Sequence, residues 1–166
     1  FLGLFIMVSA LIEVGVVKLI GQGIVDMTCG DVSGGITAAQ KLSLTMGVLV
    51  FSAVASGIVD NIPFVATMNA VIHEMAVTLH PSPEGADFYA IAHAPDVWPL
   101  WWALSLGACL GGNFTLVGAS ANVVVGGISE RAKHPISFVR FLKYGIPITL
   151  QGILISAVYL WLRFLR

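Results

Sequence analysis

The sequence predicts an all-α, polytopic membrane protein, and three observations carry that reading. First, 57% of its 166 residues are hydrophobic and only 10% are charged, with a mean hydropathy of +0.93. Soluble domains carry about 25% charged residues. Second, apolar runs long enough to cross about 30 Å of hydrocarbon as helices recur along the chain. Third, the segments between those runs are rich in glycine, proline and acidic residues, as loops are. The net charge of −1 argues against a nucleic-acid partner. The chain opens at Phe1, already inside an apolar run, which suggests a fragment with membrane segments upstream.

Phe1–Ile20 is long enough for one spanning helix. Gly21–Gln40 is polar and glycine-rich, and reads as a loop or short surface helix. Lys41–Leu79 is apolar except at Asp60-Asn61-Ile62-Pro63 and at His73-Glu74. His80–Val97 holds three prolines and three acidic residues, and reads as a solvent loop. Val97–Ser129 has no charged residue, yet as one straight helix it would measure about 50 Å, too long for a single crossing. Its Gly111-Gly112-Asn113 and Gly118-Ala119-Ser120-Ala121-Asn122 predict a broken helix. Ser129–Lys143 is a basic connector and Tyr144–Leu165 a last span. Two cysteines have no motif spacing, and Cys109, within an apolar run, is expected to be a small packing residue.

Lysine and arginine orient such chains. Arg131, Lys133, Arg140 and Lys143 place the 129–143 loop in the cytoplasm, while Gly21–Gln40 and His80–Val97 carry none and are expected outside. Lys41–Leu79 then enters and leaves on one side. Its two arms of about 17 residues could just cross and return, or form a re-entrant hairpin. The polar Asp60–Pro63 tip, without basic residues, favours the hairpin. Trp98, Trp101, Trp102, Tyr159 and Trp161 fit an outer aromatic belt, and Tyr144 an inner one.

A carboxylate at bilayer depth costs roughly 2.5–3.5 kcal/mol on insertion scales, and a proline beside it ends a helix. Such a pair in a membrane usually marks an ion or substrate site. Asn61 is expected to cap the second arm with Pro63 in its first turn, leaving N–H groups of one helix and carbonyls of the other around Asp60. One carboxylate among carbonyls suits Na⁺ or H⁺, and the N–H end suits an anion. Asn113, Thr115, Ser120 and Asn122 place four small polar side chains at the second break. The candidate ion or substrate site is therefore Asp60, Asn61, Asn113, Thr115, Ser120 and Asn122, with Asp60 and Asn122 as ligands if Na⁺ binds. Glu13, close to Lys18 for a loose pairing, is a secondary candidate. Neither hydrolase pattern fits. His73-Glu74 lacks a second histidine at zinc spacing, Ser120 has no histidine partner, and no strand precedes it as a nucleophile elbow requires. A membrane scaffold, the other rival, would pair Asp60 with a basic side chain.

Val59–Met68 (VDNIPFVATM) and Leu100–Glu130 (LWWALSLGACLGGNFTLVGASANVVVGGISE) together resemble the arsenite permease / sodium–proton antiporter family of ArsB/NhaD type. That family belongs to the ion transporter superfamily, with citrate and dicarboxylate carriers and the melanosomal P protein. The resemblance implies two inverted repeats, each with a hairpin and a broken helix, of which residues 1–166 would be the C-terminal one, a citrate-transporter-like membrane domain. It implies that Asp60 and Asn61, with Asn113, Ser120 and Asn122, line the site, and that H⁺ or Na⁺ is the coupling ion with no cofactor. Where dicarboxylate carriers place Ser-Asn-Thr at the breaks, this chain has Gly-Ala-Ser-Ala-Asn and an aspartate, which favours an inorganic ion over a dicarboxylate. Expected partners are the lipid bilayer, the upstream half of the same transporter and a small inorganic ion or anion; a homodimer stays open. The expected location is the plasma (inner) membrane.

Overall fold

The structure, a computed structural model, describes residues 2–30, 36–80 and 91–166. Among the described residues there are seven α-helices: α1 (Leu2–Glu13), α2 (Val16–Cys29), α3 (Ala38–Ser56), α4 (Asn61–Leu79), α5 (Trp98–Gly111), α6 (Ser120–Arg131) and α7 (Phe138–Leu160). A wider π-turn, Trp161–Leu165, continues α7. Among the described residues there is no strand. Among the described residues three helices, at Ala38–Ser56, Asn61–Leu79 and Phe138–Leu165, are long and apolar enough to cross a membrane. This is the all-α architecture expected of a polytopic membrane protein.

The first span is not one helix. Gly15 adopts φ 81°, a left-handed conformation that glycine enters without a Cβ clash, and it separates α1 from α2. Conversely, α2 runs through Gly21 and Gly23 to Cys29, where a loop or short surface helix was expected. Val17, Gly21 and Val25 form one buried stripe at helical spacing against α4. A Cβ on Gly21 would sit 3.2 Å from the Val71 carbonyl oxygen and 3.1 Å from the Glu74 Cβ. Gly21 is therefore a close-packing residue, not a loop residue. Part of the expected loop, 31–35, lies outside the described residues, as do 81–90 of the expected solvent loop.

α3 starts with a reciprocal capping box. Thr37 Oγ1 accepts from the Gln40 N–H, and Gln40 Oε1 accepts from the Thr37 N–H at 2.9 Å. α3 and α5 lie side by side and run parallel, with Gly107 over Leu49 and Ser52, and Gly111 over Ala53. A Cβ at Gly107 would lie 2.5 Å from the Leu49 carbonyl oxygen, so only glycine permits this approach. Here the small residues four apart serve helix packing. α7 returns antiparallel to α5. Gly145 abuts the Asn113 carbonyl, Thr149 Oγ1 donates to Leu110 O at 3.4 Å, and Trp102 stacks on Phe164 with centroids 6.3 Å apart.

The ends of the α3–α4 unit meet. Lys41 at the start of α3 and His80 at the end of α4 both reach Asp96, at 3.4 and 3.8 Å, just before α5. Lys41 Nζ also donates to the Pro95 carbonyl at 2.9 Å. The two arms therefore come back to one end of the molecule, with the 57–60 turn at the other. They splay apart as a V, and α5 lies against both. The tryptophans of α5 and the aromatic end of α7 gather at the Asp96 end, as the belt pattern predicts. Only 132–137 of the basic connector is non-helical, because Ser137 starts α7 by accepting from the Arg140 N–H.

Candidate functional site

Two helix breaks meet at the closed end of the V. The first is the turn Gly57–Asp60 between α3 and α4, and the second is 112–119 between α5 and α6. They lie at one depth because α3 and α5 run parallel and in register, Ala53 facing Gly111. A Cβ on Gly118 would fall 3.1 Å from both the Ser56 and Gly57 carbonyl oxygens, and 2.9 Å from that of Gly112. The absence of a side chain at Gly118 lets one break sit directly on the other.

Asp60 caps α4, not Asn61. Its Oδ1 accepts from the Ile62 N–H at 3.2 Å, the usual geometry by which an aspartate satisfies an orphan donor. Asn61 faces α3 instead, its amide 3.2 Å from Ser56 Oγ. Capping uses only one carboxylate oxygen. The other, Oδ2, accepts from Ser120 Oγ at the first turn of α6. One half-exposed carboxylate thus bridges the start of α4 and the start of α6, at the junction of both breaks. Among the described residues no lysine or arginine pairs with Asp60.

The remaining sequence-predicted residues divide by position. Thr115 sits in the second break and holds the first: its Oγ1 donates to the Gly57 carbonyl at 2.6 Å and accepts from the Gly118 N–H at 3.0 Å. Asn122 turns away from Asp60. Its Nδ2 donates to the Gly112 and Thr115 carbonyls, at 2.9 and 3.2 Å, so it stitches the second break together. Asn113 is exposed on the α7 side, lining a different hollow with Arg140 and Tyr144. Glu13 is exposed at the end of α1 and, among the described residues, forms no ion pair with Lys18. Asp60, Asn61 and Ser120 are thus the members brought together, with Thr115 as the clamp. Among the described residues no three His, Cys, Asp or Glu side chains cluster as a metal site would.

The sequence reading overlooked Ser56. It is fully buried, and its Oγ lies 2.8 Å from the Ala108 carbonyl and 3.2 Å from Asn61 Oδ1, tying α5 to the tip. Its signal was the spacing, four residues before Asp60 on a helix. Cys109 also corrects the sequence reading: it is exposed, not packed.

Comparison with known proteins adds family information. Residues 1–107 match the family profile described as citrate transporter. The chain is 42% identical over 164 residues to an uncharacterized transporter of Mycobacterium tuberculosis, covering 99% of this chain and 33% of that protein. It is 41% identical over 165 residues to a 46 kDa membrane protein of Mycobacterium leprae, covering 99% and 34%. It is 38% identical over 164 residues to the P protein of Sus scrofa, covering 96% and 17%. The chain spans about a third of the length of these mycobacterial relatives. No solved structure matches.

Proposed function

This chain belongs to the citrate transporter family, and we propose that it supplies half of the transport site of a secondary active carrier. In this reading residues 1–166 are the C-terminal repeat, and an upstream repeat completes the site. The carrier is a multi-pass protein of the plasma membrane with the 129–143 loop in the cytoplasm. The observation that carries the reading is the Asp60 carboxylate, held between the first turns of α4 and α6 by the Ile62 N–H and the Ser120 hydroxyl.

That arrangement suits a coupling cation. H⁺ or Na⁺ at Asp60 would compete for the same oxygens, and either would displace the Ser120 hydroxyl as donor or recruit it as a neutral oxygen ligand. Binding thereby acts on both helix breaks at once. Rocking the α3–α5 unit against the rest of the carrier would expose the site to one side and then the other. The V-shaped α3–α4 unit is re-entrant in this reading, with its tip against protein, where irregular backbone is tolerated at membrane depth.

For the cargo we favour an inorganic ion of the arsenite or Na⁺/H⁺ type, because the tip carries an aspartate and no basic side chain to receive a carboxylate. A second reading, carriage of citrate or another dicarboxylate, draws on the family description. Flux in proteoliposomes of the full-length protein separates them, with arsenite, Na⁺ and citrate each measured with and without a proton gradient. Asp60→Asn keeps the cap oxygen and removes the charge. Flux should vanish while membrane insertion stays intact. Wild-type flux in that variant would sink the proposal.

A further inference from the structure

A cleft of about 570 Å³ opens between α4 and α5. Its polar positions recur at helical spacing. Asn61 and Asn69 lie on α4, and Ser105 and Cys109 on α5, with Trp101 at the outer end. Asn61 and Asn69 are eight residues apart, as are Trp101 and Cys109, so each wall rises about 12 Å. The deep end touches the ion site: Asn61 follows Asp60, and Cys109 follows Ala108, whose carbonyl takes the Ser56 hydroxyl. The outer end is formed by Trp101, pinned by donation of its indole N–H to the Ala92 carbonyl at 2.9 Å. The His73 ring meets Trp101 edge-on at 6.4 Å.

Asn69, Ser105 and Cys109 are exposed in this cleft, and neither Asn69 nor Ser105 hydrogen-bonds a described residue. A primary amide and a hydroxyl at membrane depth need partners, and hydrocarbon offers none. Water held in such a cleft would supply them. We propose that the α4–α5 cleft is the external access route by which a hydrated inorganic cation reaches Asp60. Asn69 and Ser105 act as oxygen-bearing steps along it, and the His73–Trp101 pair as its outer constriction. This rests on the reading of Asp60 as the ion site, and it adds the route and the residues that line it. The polar side chains stand about one helix turn or two apart, so a cation passing between them keeps most of its water shell and exchanges single waters for the Asn69 and Ser105 oxygens. Ile62, Val65, Ala66 and Leu104 form the rest of the lining.

The native cysteine makes the route testable without disturbing the fold. In the full-length protein with Cys109 as the sole cysteine, a membrane-impermeant cationic methanethiosulfonate is applied to intact cells. Gradients imposed in each direction sample both orientations of the carrier. Cys109 should be modified from outside, read as a mass shift. Asn69→Leu, which replaces a polar step by an apolar one of similar size, should slow modification about tenfold or more. Trp101→Ala should speed it severalfold. Modification only by a lipid-soluble maleimide, under both gradients, would show that the cleft faces lipid or packed protein and would overturn the route. So would an Asn69→Leu rate equal to wild type. Asp60→Asn carried through the same labelling separates the two claims: its flux reports on the ion site, and its Cys109 reactivity on the route.

Discussion

Replacing Gly111 by alanine should separate α3 from α5 and loosen the tip, although the change adds a single methyl group. A Cβ on Gly111 would lie 2.3 Å from the Ala53 carbonyl oxygen and 2.6 Å from the Ala53 Cα. Both atoms are helix backbone, so no rotamer change relieves the contact. Carbons settle at about 3.5–4.0 Å, so the helices must part by roughly 1 Å. The hydrogen bond from Ser56 to the Ala108 carbonyl, 2.8 Å long, then stretches to the edge of hydrogen-bond reach or past it. Overpacking costs about 1–3 kcal/mol. A buried hydroxyl left without its partner costs about 1–3 kcal/mol more. Alanine's better helix propensity offsets about 1 kcal/mol. The net expectation is a loss of about 3 kcal/mol, enough to lower a thermal midpoint by several degrees. Gly47→Ala, on the same α3 helix, is the control. Its Cβ would meet only the Thr28 Cγ2 at 4.0 Å, so it should be neutral or slightly stabilising. The assay is thermal unfolding of the full-length protein in detergent, followed by tryptophan fluorescence, with flux measured in parallel. A Gly111→Ala midpoint equal to that of Gly47→Ala would refute the packing argument.

Three further outcomes are expected. Ser120→Ala removes a hydrogen bond to a charged acceptor, worth about 1.5–3 kcal/mol, so coupling-ion affinity should change by roughly tenfold or more while Ser120→Thr stays near wild type; an unchanged half-saturation concentration would argue against a shared site. Thr115→Val should destabilise the junction of the breaks by about 1–3 kcal/mol, since it strands the Gly57 carbonyl, and Thr115→Ser should restore it; amide exchange across 112–119 reads the difference. Thr37→Ala breaks the capping box and should cost about 1 kcal/mol, with faster exchange in the first turn of α3 and unaltered flux, because the cap lies at the opposite end from Asp60.

Composition alone decided the class of this protein, because a chain with so few charges has too little polar surface for water on all sides. The two breaks were equally legible. Asp60-Asn61-Ile62-Pro63 and the glycines around Asn113 interrupt apolar runs by chemistry that acts within a few residues: a proline without its N–H and a glycine without its Cβ. Local chemistry misled where packing overrode it. Gly21 and Gly23 carry a loop signal, yet α2 passes through them because Gly21 nests against the backbone of α4. Cys109 carries a core signal, yet it faces a cleft, since which side of α5 is covered depends on the partner helices.

What only the tertiary structure decided is which polar residues meet. Asp60 and Ser120 are sixty residues apart, and nothing local to either says they touch. They meet because Gly107 and Gly111 let α5 lie parallel and in register against α3, which brings the second break to the depth of the first. Asn122, as legible a candidate as Ser120, stands two residues further along α6, and the helix rotation between them turns its amide onto the Gly112 and Thr115 carbonyls instead. Side-chain type can be read in one dimension. Depth and facing are set by helix register, and here that register depends on two glycines against a backbone.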